Sequence, residues 1–169
     1  MQTWDAITSR RNVRSFSDQP VSAEHLDQIL EAARRSPSSR NTQPWDLVLV
    51  TDREKLRELS TVWVGAGHVA SSAATVALIV SGDPEGERRV QFDLGQLTMS
   101  IMLAAADLGV GSGHSSVGDQ DKARQLLRLP DGKRCAFMVS LGYPAGRPLA
   151  PIKRPDRRPF DEVVHRETW

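Results

Sequence analysis

The chain has 169 residues, which is enough for one folded domain with its own core. Its 22 Lys and Arg against 21 Asp and Glu leave a formal charge of +1, so no overall field favours nucleic acid or an anionic membrane. The lone Cys135 lies in an apolar run and is expected to be a buried core residue in a reducing compartment. The longest apolar stretch, residues 73–80, is too short to cross a bilayer, and the first residues do not resemble a secretory leader, so a cytoplasmic protein is expected.

Capping residues and apolar periodicity set the predicted elements. Ser22 and Asp52 stand where helices begin, and Pro37 disfavours helical backbone angles at the residue before it. Gly109 is placed to end a long helix. In chain order the predicted elements are a helix over 3–10 with Thr3 as N-cap, a helix from Ser22 to before Pro37, a strand over 45–50, a helix after Asp52, a strand over 73–81, a helix over 87–108, a helix near 119–127 and a strand over 136–141.

The remaining segments are predicted to lack regular structure. Residues 62–72 have no clear periodicity, and Gly109–His114 is predicted to be a glycine-rich turn. Prolines break the tail, so residues 144–169 are expected to form an extended C-terminal arm on a single domain that spans residues 1–169. The order of helices and strands favours an α+β or α/β layered domain.

Several common sites are disfavoured by spacing. The histidines are scattered and have no cysteine partners at zinc-ligand spacing, so no metal site is predicted. The run Gly109-x-Gly111-x-Gly113 follows a predicted helix, whereas a dinucleotide-binding fingerprint follows a strand. This segment is open to two interpretations: a flexible connection, or a backbone that lies flat against a planar ligand.

Two polar tracts carry the functional prediction. The first tract, Ser9–Phe16, places the guanidinium groups of Arg10, Arg11 and Arg14 close together, and the second, Pro37–Trp45, is rich in hydroxyl and amide side chains. Arginine pairs bidentately with phosphate, and short polar groups can bind a ribityl chain and a heteroaromatic ring. The arginines alone would also fit a solvated basic face, but the two tracts together indicate a phosphate-bearing cofactor.

Three motifs in order resemble the FMN-dependent nitroreductase family. They are the Arg-Arg-x-x-Arg-x-Phe opening, the Pro-Ser-Ser-x-Asn-x-Gln-Pro-Trp loop and the ending Arg157–His165. The resemblance implies an α+β fold with a central, mostly antiparallel sheet flanked by helices, in an intertwined homodimer that binds FMN at its interface. It also implies that NADH or NADPH passes a hydride to flavin N5 and that a small acceptor, such as a nitroaromatic or a quinone, is then reduced in the same slot.

The resemblance also assigns site residues by position. Those implied to contact the flavin phosphate, ribityl chain and pyrimidine edge are Arg10, Arg11, Asn12 and Arg14. Those implied to surround the flavin from the loop, the glycine segment and the tail are Ser38, Ser39, Asn41, Gln43, Ser112, Gly113, His114, and Arg157 or Arg158. Arg14 is the candidate for a cation that stabilises reduced flavin, and no acid or base is assigned because positioning and electrostatics carry such reactions.

Some expectations stay open at this point. The short segment 60–72 leaves little room for a helical insertion and predicts an open substrate pocket, with Trp63 as a candidate to cover the acceptor. The tail residue that meets the phosphate is one of Lys153, Arg154, Arg157 and Arg158. The alternatives are a protein of the same fold that uses a deazaflavin and a non-catalytic flavin-binding protein. A nucleic-acid binder is disfavoured because the arginines lack interleaved aromatic residues.

Overall fold

A computed structural model describes residues 1–82 and 87–169. Its four strands form one sheet in the order β1-β2-β4-β3, and every neighbouring pair is antiparallel. The strands are β1 Asp46–Val50, β2 Ala74–Ser81, β3 Gly111–Ser116 and β4 Lys133–Gly142. This confirms the predicted α+β fold with an antiparallel sheet.

Helices cover both faces of the sheet, and three of them begin at a side-chain cap. The helices are α1 Thr3–Ser9, α2 Ala23–Arg34, α3 Arg53–Leu59, α4 Glu87–Asp107, α5 Gln120–Leu127 and α6 Phe160–Val163. The caps of α2, α3 and α5 are Ser22, Asp52 and Asp119, each accepting a backbone N–H at 2.8–3.2 Å. Two 3₁₀ segments, Ser39–Asn41 and Val64–Ser71, complete the described elements.

The central strand β2 separates two apolar cores. On one face, Val76 and Leu78 pack with Ile29 of α2 and Leu97 and Ile101 of α4. The core on the other face contains Ala77, Ile79, Leu56, Val69, Ala123 and Met138. Because β2 is buried on both faces, its continuous apolar run is the pattern that a covered central strand requires.

The structure corrects two local predictions. The sequence predicted a glycine-rich turn over Gly109–His114. Gly111–Ser116 instead form strand β3, which pairs with β4 from Gly111↔Gly142 to Ser116↔Phe137. Glycine and serine are weak strand formers, so pairing along the whole of β3 overrides local propensity here. Thr3 is the first residue of α1 and not its cap, because Gln2 has the extended backbone of the N-cap position.

Cys135 and the C-terminal arm lie at opposite extremes of exposure. Cys135 is fully buried, and burial raises the pKa of its thiol to about 12, which confirms a core residue. The arm runs without a helix or a strand from Ala145 to Pro159, and its Ile152 N–H donates to the carbonyl of Thr8 at 3.0 Å.

Over the described ranges, none of the helices combines the length and apolarity needed to span a membrane.

Candidate functional site

The first tract lies along β3 and the chain that follows β4. The Val13 N–H donates to the carbonyl of Ser112 at 2.8 Å, and the Ser17 N–H donates to the carbonyl of Tyr143 at 2.8 Å. The Ala145 N–H returns a bond to the carbonyl of Ser15 at 3.0 Å. These bonds fix the backbone of the tract, so its side chains project from a defined line beside the sheet.

The glycines of β3 permit this close approach. A Cβ on Gly113 would lie 2.3 Å from the carbonyl oxygen of Val13, and one on Gly111 would lie 2.8 Å from the Val13 side chain. Both distances are far below van der Waals contact, so the tract could not lie here beside larger residues. The interpretation of the glycine segment as a flexible connection is therefore wrong.

Alternate residues of the first tract face opposite sides, as in an extended strand. Val13 is buried against β3, and Arg11 reaches the arm, where its guanidinium donates to the carbonyls of Arg147 at 2.6 Å and Pro148 at 3.4 Å. Arg10 and Asn12 face the other way and line a groove of about 420 Å³. The other residues lining this groove are Gln91, Leu94, Gly95, Thr98, Met99 and Met102 of α4, His114 of β3 and Phe137 of β4.

The two neighbouring arginines of the tract are in different electrostatic situations. Partial burial, followed by the charge of Arg147, lowers the pKa of Arg11, although a guanidinium remains charged. The Arg10 guanidinium has no hydrogen bond or ion pair with any residue of 1–82 or 87–169. Arg10 is thus the member of the pair that is available to an anion in the groove, and Arg11 anchors the arm.

Arg14 continues the row and contacts a histidine that the sequence did not single out. Its Nη1 lies 3.1 Å from Nδ1 of His68, whose Nε2 lies 3.3 Å from the carbonyl oxygen of Gly113. His68 belongs to the 3₁₀ segment Val64–Ser71. No sequence pattern points to His68, because it is an isolated histidine in a segment without periodicity.

The polar loop is held by a buried carboxylate on α4. Both oxygens of Asp93 accept the backbone N–H of Ser39 at 3.1 Å, and its Oδ1 also accepts the Ser39 hydroxyl at 3.2 Å. The Ser38 hydroxyl accepts the N–H of Gln43 at 2.9 Å. These bonds hold three non-glycine residues at positive φ, namely Arg40, Asn41 and Gln43. Such strained backbone clusters at functional sites, which is consistent with a binding loop.

The structure brings together some of the predicted site residues and leaves others apart. Arg10, Asn12 and His114 line one groove, and Ser112 and Gly113 lie directly beside the first tract. The loop residues Ser38, Ser39, Asn41 and Gln43 are not among those that line this groove.

Within the part of the chain that the structure describes, the side chains of Arg157 and Arg158 bond only to other residues of the tail. Arg157 donates to the carbonyl of Asp156 at 2.6 Å. Arg158 donates to the carbonyl of Glu162 at 2.8 Å, and its Nε lies 3.7 Å from the Glu162 carboxylate. Within one chain, the first tract and β3 therefore meet at the groove, whereas the polar loop and the tail arginines do not line it.

The tryptophans show two kinds of environment. Trp45 is partly buried and packs against the larger core, which confirms a packing role. Trp63 is 45% exposed, and its ring lies so close to Gly118 that a Cβ there would be 2.5 Å away. Trp63 is thus fixed at the surface of the 3₁₀ segment, where its role in covering an acceptor stays a prediction.

The groove fits a planar cofactor that carries a phosphate. A free guanidinium lies at Arg10, an amide follows at Asn12, and the wall from Leu94 to Met102 is largely apolar. Charge at one position and apolar surface beyond it are the features that an anionic cofactor with an aromatic ring requires.

The fold first defines the class of protein. An FMN-dependent nitroreductase from Clostridium difficile superposes on this chain with a TM-score of 0.83, at 25% identity over 97% of this chain and 98% of that one. The model of the nitroreductase family matches residues 7–69 and 63–143. The chain belongs to the nitroreductase family, as the motifs predicted.

Curated relatives agree with this assignment. A provisionally named NADH dehydrogenase/NAD(P)H nitroreductase from Archaeoglobus fulgidus is 34% identical and covers 96% of both chains. An FMN reductase [NAD(P)H] from Bacillus subtilis is 29% identical and covers 97% of this chain and 73% of its own. The similarity extends over nearly the whole length of the chain.

Proposed function

We propose that this chain is an FMN-dependent NAD(P)H oxidoreductase that reduces small electrophilic acceptors of the nitroaromatic or quinone type. The observation that carries the proposal is the row formed by Arg10, Asn12 and Arg14, which is fixed beside the glycines of β3, with the first two residues lining the groove. Family membership and the names of the relatives, which include FMN and NAD(P)H, support the same activity.

The residues of the row divide the binding of FMN between them. Arg10 pairs with the phosphate as a charged, forked donor, and Asn12 offers its amide to the ribityl hydroxyls. Arg14 places a cation toward the pyrimidine edge, where it stabilises the negative charge of the reduced ring. When bound, FMN supplies the chemistry by taking a hydride from NADH or NADPH and passing electrons to the acceptor.

The walls of the groove position the cofactor ring. Phe137 and Met102 line the groove and offer apolar surface that excludes water. A ping-pong reaction requires that the nicotinamide and the acceptor occupy the same place beside the ring in turn. No protein acid or base is assigned, since orientation and fixed charge supply the acceleration.

A homodimer would complete this site. Large apolar side chains are exposed on α1 and α4, among them Trp4 at 71% and Phe92 at 69%. Exposed apolar surface of this kind marks an interaction site. The loop residues Ser38, Ser39 and Asn41 do not line the groove of their own chain and would reach the flavin of the partner, while Arg157 or Arg158 of the arm would add a phosphate contact.

The decisive experiment is a visible spectrum of the purified protein reconstituted with FMN, recorded before and after anaerobic addition of NADPH or NADH. We expect a bound flavin spectrum that bleaches with the nicotinamide and returns when a quinone or a nitroaromatic is added. Bound FMN that neither nicotinamide reduces would contradict the oxidoreductase and favour a flavin-binding protein. Mass analysis of the cofactor retained from cells distinguishes FMN from a deazaflavin.

A further inference from the structure

His68 is a buried histidine to which the proposed function assigns no role. Only 7% of its surface is exposed, and its 3₁₀ segment packs beside β3. One ring nitrogen meets Arg14 of the first tract at 3.1 Å, and the other meets the carbonyl of Gly113 in β3 at 3.3 Å. The imidazole thus bridges the first tract and β3, two of the segments that supply residues to the groove.

The chemistry of these two partners defines the tautomer. A guanidinium can only donate, so Nδ1 of His68 must accept the bond from Arg14. A carbonyl oxygen can only accept, so Nε2 carries the proton and donates it to Gly113. A neutral imidazole satisfies both partners at once. A protonated imidazole would present an N–H and a positive charge to Arg14 and would repel it.

The surroundings favour this neutral form. Burial is the largest cause that lowers the pKa of His68 from its ordinary value of 6.5. The charged and titratable groups that act on the ring are Arg14 and His114, and both lower the pKa further. The hydrogen bond to the Gly113 carbonyl and the nearby backbone of Gly65 act in the opposite direction and do not overcome burial.

We propose that His68 is a positioning residue, whose neutral imidazole holds the Arg14 guanidinium toward the flavin and whose protonation releases it. The inference rests on the proposed function, because Arg14 must face FMN for its position to matter. Arg14 is exposed, and a free arginine loses much rotamer entropy when it is ordered. A fixed acceptor removes part of that cost before the cofactor binds and keeps the cation where negative charge develops.

The test compares His68→Leu, which removes both hydrogen bonds, with His68→Gln, whose amide can accept from Arg14 and donate to Gly113. The readout is the two-electron midpoint potential of bound FMN, together with its dissociation constant. For His68→Leu we expect a tenfold loss of preference for reduced over oxidised FMN, which equals a fall of about 30 mV. In His68→Gln the preference for reduced over oxidised FMN should stay within threefold of that of the wild type. The same is expected of the control His25→Gln on α2.

A double-mutant cycle with Arg14→Ala shows whether His68 acts through Arg14. The midpoint potential should be lower in Arg14→Ala than in the wild type. Adding His68→Leu to Arg14→Ala should then change the preference for reduced over oxidised FMN by less than twofold. A full effect of His68→Leu in the Arg14→Ala background, or no effect in the wild-type background, would overturn the proposal. Failure of the wild type to bind FMN would instead contradict the proposed function, so the two failures are distinguishable.

The pH dependence provides a measurement that does not need the leucine variant to fold. As the pH falls below 6.5, protonation of His68 should reduce the preference of the wild type for reduced FMN, and His68→Gln should lack this step. Identical pH profiles of the potential in the wild type and His68→Gln would overturn the inference.

Discussion

The first tract and the C-terminal arm are both rich in arginine, but other elements hold the backbone that carries Arg10 and Arg14, whereas Arg157 and Arg158 lie beyond the part of the arm that Arg11 and Thr8 hold. Hydrogen bonds from Val13 and Ser17 hold the tract against β3 and the chain after β4. In the arm, Arg157 and Arg158 are exposed, and their bonds to the described residues stay within four positions along the chain. Basic composition is therefore not sufficient for a site, since the charges must also project from a backbone that neighbouring elements hold in place.

The largest effect should come from breaking the contact that fixes the first tract. In Gly113→Ala the new Cβ would meet the Val13 carbonyl oxygen, which is backbone and cannot rotate away. We expect the free energy of unfolding to fall by about 3 kcal/mol, the upper end of the range for overpacking. FMN binding should be lost with it.

Gly67→Ala is the matched control, because nothing lies within 4 Å of its added Cβ. Chemical denaturation followed by circular dichroism measures both variants. Equal stability of Gly113→Ala and the wild type would mean that the first tract does not depend on the close contact between Gly113 and Val13.

The next effect concerns the free guanidinium of the tract. Arg10→Ala removes a charged hydrogen-bond donor from the groove and should weaken FMN binding by about 2 kcal/mol. Fluorescence titration with FMN measures the loss. Arg57→Ala removes the same charge from the exposed face of α3 and serves as the control. If both variants bind FMN equally well, Arg10 does not contact the phosphate.

A smaller effect should follow from shortening the arm. Deleting residues 160–169 removes Phe160, Val163 and Val164, whose apolar side chains are exposed in a single chain. If the arm packs on a partner, the dimer dissociation constant should rise about tenfold, which is about 1.4 kcal/mol.

Analytical ultracentrifugation measures this constant. Val64→Ser, which removes an apolar side chain that is 93% exposed outside the arm, should leave the constant unchanged. An arm deletion that dimerises like the full chain would show that the arm has no role between subunits.

The smallest effect should be a gradual loss of stability in acid. The pKa of His68 is lowered in the folded state, so the unfolded chain binds the proton more readily. Stability should therefore be unaffected by His68 above pH 6.5 and should decrease as the pH falls below that value. Denaturation of the wild type and His68→Gln between pH 5 and 8 measures the difference, and parallel curves would rule out this contribution.

Much of the fold could be predicted because its signals are local. Ser22 and Asp52 cap helices whose first-turn N–H groups need an acceptor, and Gly109 ends α4 with a φ of 72°. The apolar run of β2 indicates a strand that is covered on both faces. These interactions lie within a few residues along the chain.

The missed features depend on contacts that are distant in sequence. β3 carries glycines because Val13 approaches from almost a hundred residues earlier, and no local pattern in Gly111–Ser116 reports that neighbour. The contacts of His68 could not be predicted for the same reason, since its two partners, Arg14 and Gly113, are distant in sequence. The motifs predicted which tracts bind the cofactor, but only the structure shows that Arg11 anchors the arm and that Arg10 has no partner among the described residues.

The burial of Cys135 has a practical consequence for measuring the movements of this molecule. The chain contains one cysteine, and a thiol with a pKa of about 12 inside the core offers almost no thiolate to an alkylating dye at neutral pH. A new cysteine on the arm, for example at Arg166, would react alone, with the native residue left in place. Spin or fluorescent labels could then report the separation of two arms without background.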